Sequence, residues 1–502
     1  MKPLLLLTTL AALSLTSLAA DKPGTESDYY RIVTVPTPYR ESQPVTMEAG
    51  SLCVLGPDKL ACSSRTGDVW IAEGLLSDAP KPKWTLFASG LHEVLGLATK
   101  PGDTEGWIYC TQRCEVTRMR DSNGDGRADI FETVSDAWGI KGDYHEYAFG
   151  SKFDKAGNLW VVLCLTGSFT SDSIYRGWCL QITPDGRTIP ACSGVRSPGG
   201  IGYNSAGDLF YTDNQGPWNG ACKLQQLIPG KFVGNPLGNK WFDRPETKDA
   251  IAAAGVKKPE EPLSGSRLYV ERKHIPELLP PSVYFPYPKM GQSAAGFACD
   301  LSGGKFGPWK DQLFVGDQTH STVMRVALEK VNGYYQGACF PFMKGFDSGS
   351  LGLEFGPDGS LFVYGTDRGW GARGGKPYAL QRVVWSGQTP FEIHDLHIQP
   401  DGFDLNFTEA VDPATAGNVA SYKMETYTYI YQSSYGSPEV DKTVPVIKSA
   451  TVSADKKTVR LVLDGLAEGH VHELHATGVK SATGASLLHE AAYYTVFEIP
   501  AK

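Results

Sequence analysis

One phrase recurs six times along this chain, and it leaves few folds open. It consists of a Gly-rich approach, a tight turn of the type Asp/Gly-Gly-Asn/Asp/Ser, and an apolar-aromatic run that ends in polar residues. The copies read GPDKLACSSRTGDVWIAEG near residue 56, GLATKPGDTEGWIYCTQRCEVTRMRD near 96 and GSKFDKAGNLWVVLCL near 150. They continue as GIGYNSAGDLFYTDNQG near 200, GFACDLSGGKFGPWKDQLFVGDQTHSTVMRVAL near 296 and GLEFGPDGSLFVYGTDRGW near 352. A small sheet of this kind has two apolar faces and cannot bury both without neighbours, so units repeating every roughly 40 to 90 residues predict an all-β ring, a six-bladed β-propeller. The 56 glycines and 33 prolines, with 11% aromatic residues, suit short strands joined by turns better than long helices.

Residues 228–290 fit the repeat poorly. Lys248 to Val256 is helix-prone and Pro276 to Pro288 is proline-rich, which predicts an insertion on one face of the ring, where loops commonly shape a site. After Trp385 the texture changes. Phe391-Glu392-Ile393, Phe403-Asp404-Leu405-Asn406-Phe407 and Val459-Arg460-Leu461-Val462-Leu463 alternate apolar with polar, as does Val471-His472-Glu473-Leu474-His475. A stretch of this size and pattern predicts an Ig-like β-sandwich over 389–502, and FTEAVDPATAGNVASYKM resembles bacterial Ig-like modules. Its four histidines, His470, His472, His475 and His489, are expected on solvent-facing strand positions.

Met1 to Ala20 carries Lys2, an apolar stretch from Leu4 to Leu18 and the small residues Ala19 and Ala20 before Asp21, the pattern of a secretory signal peptide. The expected organisation is therefore a signal over 1–20, a propeller over 21–388 and the sandwich over 389–502, in a periplasmic or secreted protein. No later run approaches eighteen apolar residues, so no transmembrane segment is expected in the mature chain. Formal charge is -8 with both signs interspersed, which argues against nucleic acid or an anionic membrane surface as partner. An even count of ten cysteines in an exported chain predicts disulfides. The expected pairs are Cys53–Cys62, Cys110–Cys114, Cys164–Cys179, Cys192–Cys222 and Cys299–Cys339; no CxxC or CxxCH occurs to suggest zinc or covalent haem.

The sharpest local motif is DSNGDGRADIFE, residues 121–132. It matches a calcium loop: Asp121, Asn123 and Asp125 supply side-chain oxygens and Gly126 permits the turn. Arg127 offers its carbonyl, Asp129 ligates directly or through water, and Glu132 closes the shell. Here it would staple two strands of one blade. The second constellation is spread out. His145 follows Gly142-Asp143-Tyr144 just before a blade strand, Arg196 stands at the corresponding place in the next blade, and DNQGPWNG (213–220) follows that blade's strand. Histidine can take a hydroxyl proton near neutral pH, with Asp143 beside it, while arginine can hold an anion through paired hydrogen bonds.

His145 before GSKFDKAGNLWVV, Arg196 in RSPGGIGYNSAGDLFYTDN and the following Gln215-Gly216-Pro217 resemble the soluble PQQ-dependent glucose/sorbosone dehydrogenases. GLHEVLGLA, YHEYAFG and TDRGWGARGG resemble propeller proteins of planctomycete and verrucomicrobial type. The resemblance implies a six-bladed propeller with pyrroloquinoline quinone (PQQ) and calcium on one face. It implies His145 as the base that takes a sugar hydroxyl proton during hydride transfer, Arg196 as a PQQ contact, and the carbonyls of Gln215, Gly216 and Pro217 as holders of calcium beside PQQ. The chain departs from that pattern at Ser197, where the family has asparagine. Its FDSGSLGLEF segment lacks the family's clamping arginines, and Arg368 and Arg373 come only after the following strand.

Three functions are compatible with these residues. One is a sugar or alcohol dehydrogenase passing electrons to an unidentified acceptor. Another is a calcium-dependent, gluconolactonase-like hydrolase or lyase using Glu93, Asp143 or Asp213. The third is a non-catalytic carbohydrate- or protein-binding propeller in which Trp70, Trp218 and Trp370 stack on ligand rings. Arg65, Asn214 and Arg368 complete the expected lining, and a small sugar or sugar derivative is the expected ligand.

Overall fold

The computed structural model describes residues 24–165, 171–369 and 371–501. The expected signal segment 1–20 and the candidate Trp370 lie outside the described residues. Six four-stranded antiparallel sheets follow one another along the chain. In the first five, the strands run in chain order from the first to the outermost. Sheet one comprises Ala49–Gly56, Lys59–Ser64, Val69–Glu73 and Lys83–Ala88, and sheet two Leu97–Ala98, Ile108–Thr111, Val116–Arg120 and Ile130–Ser135. Sheet three is Ala148–Phe153, Leu159–Leu163, Trp178–Ile182 and Thr188–Ser193, and sheet four Pro198–Tyr203, Leu209–Asp213, Cys222–Gln226 and Val283–Phe285. Sheet five is Ala294–Cys299, Leu313–Asp317, Thr322–Val331 and Tyr334–Met343, and sheet six Gly352–Phe355, Leu361–Thr366 and Tyr378–Trp385. The sixth is completed by the N-terminal strand Tyr30–Thr34, which pairs antiparallel with Tyr378–Trp385.

Each copy of the repeated phrase falls on one of these sheets. The first strand of every sheet touches the first strand of the next, and that of the sixth returns to that of the first, so the sheets form a closed ring consistent with a β-propeller. The Gly-rich approach now has its reason: first strands meet backbone to backbone. A Cβ on Gly96 would lie 2.4 Å from the Gly150 carbonyl oxygen, and one on Gly199 would lie 2.2 Å from that of Ala294. Leu159–Leu163 is buried along its whole length because sheets cover it on both faces.

The insertion folds as a 3-10 turn Pro236–Phe242 and helices Lys248–Ala253 and Leu268–Glu271. It packs on the outer edge of sheet three, where Trp178 Nε1 donates to the Gly238 carbonyl and Trp241 Nε1 to the Arg176 carbonyl, both at 2.8 Å. Its helical part therefore braces the ring, while Tyr287 from its proline-rich end lines the cleft that holds His145 and Arg196.

Beyond Trp385 two further sheets face each other. One is Ile393–Gln399, Gly402–Phe407, Thr458–Asp464 and Val446–Val452; the other contains Lys423–Tyr431, His470–His475 and Ala491–Val496. The second sheet is not separate from the ring. Gly337, Ala338 and Cys339 pair with Thr495, Tyr494 and Tyr493, so sheet five continues into the C-terminal region and ends on Ser266–Arg267 of the insertion. The ten-residue strands Thr322–Val331 and Tyr334–Met343 outgrow the ring, and their Ala327, Val331, Ala338 and Phe340 share a core with Phe403, Leu405, Leu461 and Tyr494.

Two expectations are corrected by this packing. Three of the four C-terminal histidines are not solvent-facing: His472 is 1% exposed, His470 is buried, and His489 is wedged between Glu392 and Glu26 at 2.6 and 3.3 Å, while the His475 side chain stays 37% exposed. The cysteines are all free thiols. Cys53 lies opposite Ala61, not Cys62, and the one-residue offset sends the two side chains into different cores. Cys110 is core while Cys114 is half-buried at a turn. Cys179 lies opposite Val162 on one side and Cys192 on the other, so it does not face Cys164. Cys192 and Cys222 belong to different cores. Two strands separate Cys299 from Cys339 through Leu313 and Val326, a span of roughly 14 Å at ordinary strand spacing, far beyond disulfide reach. Among the described residues no helix is long and apolar enough to cross a membrane.

Candidate functional site

Antiparallel order brings the loops preceding each first strand, and those joining second to third strands, to one end of the ring. Two contiguous clefts open there, sharing Ser197, Asn214 and Ser293. The first, about 150 Å³, is lined by His145, Arg196, Gln215, Gln292 and Tyr435; the second, about 100 Å³, by Arg65, Tyr144, Tyr147, Phe149 and Arg368. His145, Arg196, Asn214 and Gln215, far apart in sequence, thus meet in one place.

His145 is presented by a fastened loop. Asp143 Oδ1 accepts the His145 backbone N–H at 2.8 Å, Arg113 donates to the carbonyls of Asp143, at 3.0 Å, and of Tyr144, and buried Glu146 accepts from the Lys141 and Gly142 N–H groups and the Ser171 and Ser173 hydroxyls. Among the described residues the imidazole itself has no hydrogen-bond partner: Nδ1 stands 3.7 Å from Asp143 Oδ1, beyond hydrogen-bond range, and the ring meets the Tyr144 edge, at 5.0 Å between centroids. Partial burial lowers its pKa below the ordinary histidine value, and Arg196 and Arg113 add to that while Asp143 opposes it. The ring is therefore neutral near pH 7 and able to accept a proton. Asp143 orients the loop, not the ring.

Arg196 is 5% exposed. Its Nη1 donates to the carbonyls of Asn214, at 3.2 Å, and Gln215, at 2.5 Å, its Nε is buried without a partner among the described residues, and the Tyr435 ring lies 5.3 Å from its guanidinium carbon. A Cβ on Gly216 would fall 2.0 Å from that carbon, so a larger residue there would push the guanidinium aside. Asp213 sits underneath, 1% exposed, and accepts from the N–H groups of Arg196 and Ser197 at 3.2 and 2.6 Å and from the Tyr211 hydroxyl at 3.0 Å. Asp317 repeats the device in the next sheet, holding the N–H groups of Gln292, Ser293 and His320 at 2.7 to 2.8 Å. Both acids are scaffold, and Asp213 is committed to its three donors.

The floor of the second cleft is a charge chain that sequence reading catches only in part. Arg65 donates to Glu48 at 3.0 Å and to Glu93 at 2.8 Å, and Glu93 also pairs with Arg113 at 3.2 Å. Glu93 is thereby neutralised. Glu48 and Arg113 stand outside any recognisable motif, and Tyr435 belongs to the C-terminal region. The tryptophans expected as ring platforms do other work: Trp218 is 7% exposed in a core with Tyr431, and Trp70 is 4% exposed.

Two of the three carbonyls assigned to calcium, those of Gln215 and Gly216, are already engaged. Gln215 O accepts from Arg196 and Gly216 O from the Gly436 N–H at 3.0 Å, with a guanidinium where a second cation would sit. A flat anion fits better. The orphaned Nε of buried Arg196 and the exposed Arg368 are donors to it, and Tyr144, Tyr147 and Phe149 give apolar walls. Arg373 lines a separate cleft with His320 and does not join them.

The 121–132 loop lies at the opposite end, between the third and fourth strands of sheet two. Asp121 accepts from the Gly124 and Gly126 N–H groups, both at 2.7 Å, Asn123 from Asp125 at 2.9 Å and Asp125 from Arg127 at 2.8 Å. Asp129 is bound by Ser122, and Glu132 is held across the strands by Arg118 at 2.5 Å. Among the described residues no three histidine, cysteine, aspartate or glutamate side chains gather closely enough to hold a metal ion.

No protein-family model and no curated protein matches this sequence. Solved structures do. An oxidoreductase described as a glucose dehydrogenase, from Thermus thermophilus, aligns over 71% of this chain and 100% of its own, at 18% identity and a TM-score of 0.50. The PQQ-bound aldose sugar dehydrogenase of Streptomyces coelicolor aligns over 71% and 98% at 16% identity (TM-score 0.49), and the apo aldose sugar dehydrogenase of Escherichia coli over 71% and 99% at 16% (0.44). The likeness to the Thermus thermophilus structure bears out the family resemblance at the level of fold.

Proposed function

We propose that this chain is an exported six-bladed propeller, with an Ig-like C-terminal sandwich, that oxidises a hydroxyl of a small sugar with His145 as the base. The observation that carries the reading is the convergence on one cleft of a neutral imidazole without a hydrogen-bond partner and a buried arginine with an orphaned N–H, both among the described residues. The sugar hydroxyl gives its proton to a ring nitrogen of His145 as the hydrogen on the same carbon leaves with the C–H electron pair to an acceptor, and the carbon becomes a carbonyl. PQQ, when bound, supplies that two-electron acceptor. Arg196 and Arg368 would hold its carboxylates, and the aromatic walls would limit water around the reacting carbon. Asp143 and Arg113 keep the His145 loop in place through the backbone, so proton transfer costs no loop rearrangement.

The pairing of Glu93 with two arginines, and of Asp213 with three donors, leaves Asp143, which gives one oxygen to the His145 N–H, as the carboxylate a lactonase-like reaction would use. Calcium belongs in the 121–132 loop. The side chains there are not gathered about one point, so binding has to draw them together and free Glu132 from Arg118, an exposed ion pair worth about 1 kcal/mol or less. The test is to load the purified protein with PQQ, with and without Ca²⁺, and follow dye reduction across aldoses. Sugar-dependent reduction is expected. Sugar binding without reduction would favour the binding propeller, and lactone hydrolysis the hydrolase.

A further inference from the structure

We infer that Tyr435, carried by the C-terminal region, is a substrate-contacting residue of the His145 cleft, its ring forming the platform on which the apolar face of a pyranose sugar rests. The inference rests on the sugar reading and adds a specificity residue from outside the propeller.

Tyr435 sits at the tip of the turn between Lys423–Tyr431 and Glu439–Thr443, and the turn is bound to the segment that carries Arg196's acceptors. Trp218 N–H donates to Gln432 O at 2.7 Å, Gly436 N–H to Gly216 O at 3.0 Å and Ser437 N–H to Gly220 O at 3.2 Å. Gln432 Nε2 closes the turn on Gly436 O at 3.0 Å. Gly436 has φ +62°, and a Cβ there would lie 2.8 Å from the Gln215 side chain, so the contact demands glycine. A turn fixed on both sides presents its tip residue in one position.

What it presents is unusual. Tyr435 is 63% exposed although it lines a cleft, and the Arg196 guanidinium lies under one face of its ring. Tyr144, 51% exposed, stands beside His145. Tyr144 thus meets the imidazole edge-on, and Tyr435 lines the same cleft as that imidazole. A sugar ring has an apolar C–H face and an equatorial rim of hydroxyls. Laid on Tyr435 it would turn its rim toward His145 and Gln292, and a rigid tyrosine loses little side-chain entropy in binding it.

The experiment compares native full-length protein with Tyr435→Ala and Tyr435→Phe, measuring glucose and maltose binding by titration calorimetry and, separately, KM and kcat of the PQQ-loaded forms. Tyr435→Ala should weaken sugar binding and raise KM about tenfold with kcat within about twofold, because a platform binds ground and transition states alike. Tyr435→Phe should stay within about threefold of native. Unchanged binding in Tyr435→Ala, or a fall in kcat at constant KM, would overturn the inference, the latter showing that the ring only props Arg196. If native protein binds neither sugar, the function reading itself fails, and the platform with it.

Discussion

The two ends of the ring teach opposite lessons. At one end lies DSNGDGRADIFE, a contiguous motif whose aspartates are half-exposed or exposed and satisfied within the loop, with Glu132 paired to Arg118 on the neighbouring strand. At the other, His145, Arg196, Gln215, Arg368 and Tyr435 come from five separate loops, with buried Asp213 holding the Arg196 segment and buried Glu146 the His145 loop. The contiguous motif is easily read and energetically local. The dispersed one is hard to read and is written into the core.

That contrast fixes the largest expected effect. Asp213→Ala strands the N–H groups of Arg196 and Ser197 and the Tyr211 hydroxyl in a buried site, and should cost about 3 kcal/mol or more of unfolding free energy. Asp121→Ala, at the exposed end, should cost less than about 1 kcal/mol. Denaturant unfolding of both variants tests it, and equal losses would erase the distinction between the ends.

The seam between ring and sandwich sharpens it through pH. The His489 side chain is 13% exposed, and this partial burial alone would depress its pKa, yet Glu392 and Glu26 raise it to about 9. A histidine whose pKa is higher folded than unfolded stabilises fully below about 6.5 and loses that contribution as pH climbs through 9, a loss on the order of 3 kcal/mol. Burial holds His472 down at about 3, so its contribution runs the other way, intact above about 6.5 and lost as pH falls toward 3. Unfolding at about pH 6.5 and 9 should show the alkaline loss in native protein and a shallower one in His489→Gln.

The smallest effect belongs to the acidic loop. Calcium at about a hundredfold excess over its Kd should raise Tm by about 2 °C, and Glu132→Gln should remove the rise. Identical melting in Ca²⁺ and in EDTA would leave the loop a solvated turn.

What the sequence makes legible is whatever repeats or lies close together. Six copies of one phrase mark the sheets, and Lys248–Ala253 is helical where expected. The closing strand Tyr30–Thr34 bears no copy of the phrase, so its role appears only when it pairs with Tyr378–Trp385. The cysteine pairings fail because separation along a hairpin does not give the facing side: Cys53 and Cys62 are one register step out of phase. The pattern after Trp385 reads as a detached sandwich, although Asn332-Gly333 marks a hairpin whose ten-residue strands exceed a blade's needs. Tyr435, far beyond Gln215 in the chain, carries no local signal at all.

The central claim, that a neutral His145 accepts the substrate proton, is tested most directly by the pH dependence of kcat/KM. A base must be unprotonated to act, so native activity should be flat above about pH 6.5 and fall on the acid side with a midpoint below the ordinary histidine value. His145→Ala should melt like native protein but turn over about 10²-fold more slowly, without that limb. An acid limb that persists in His145→Ala, or turnover that survives the substitution, would contradict the account.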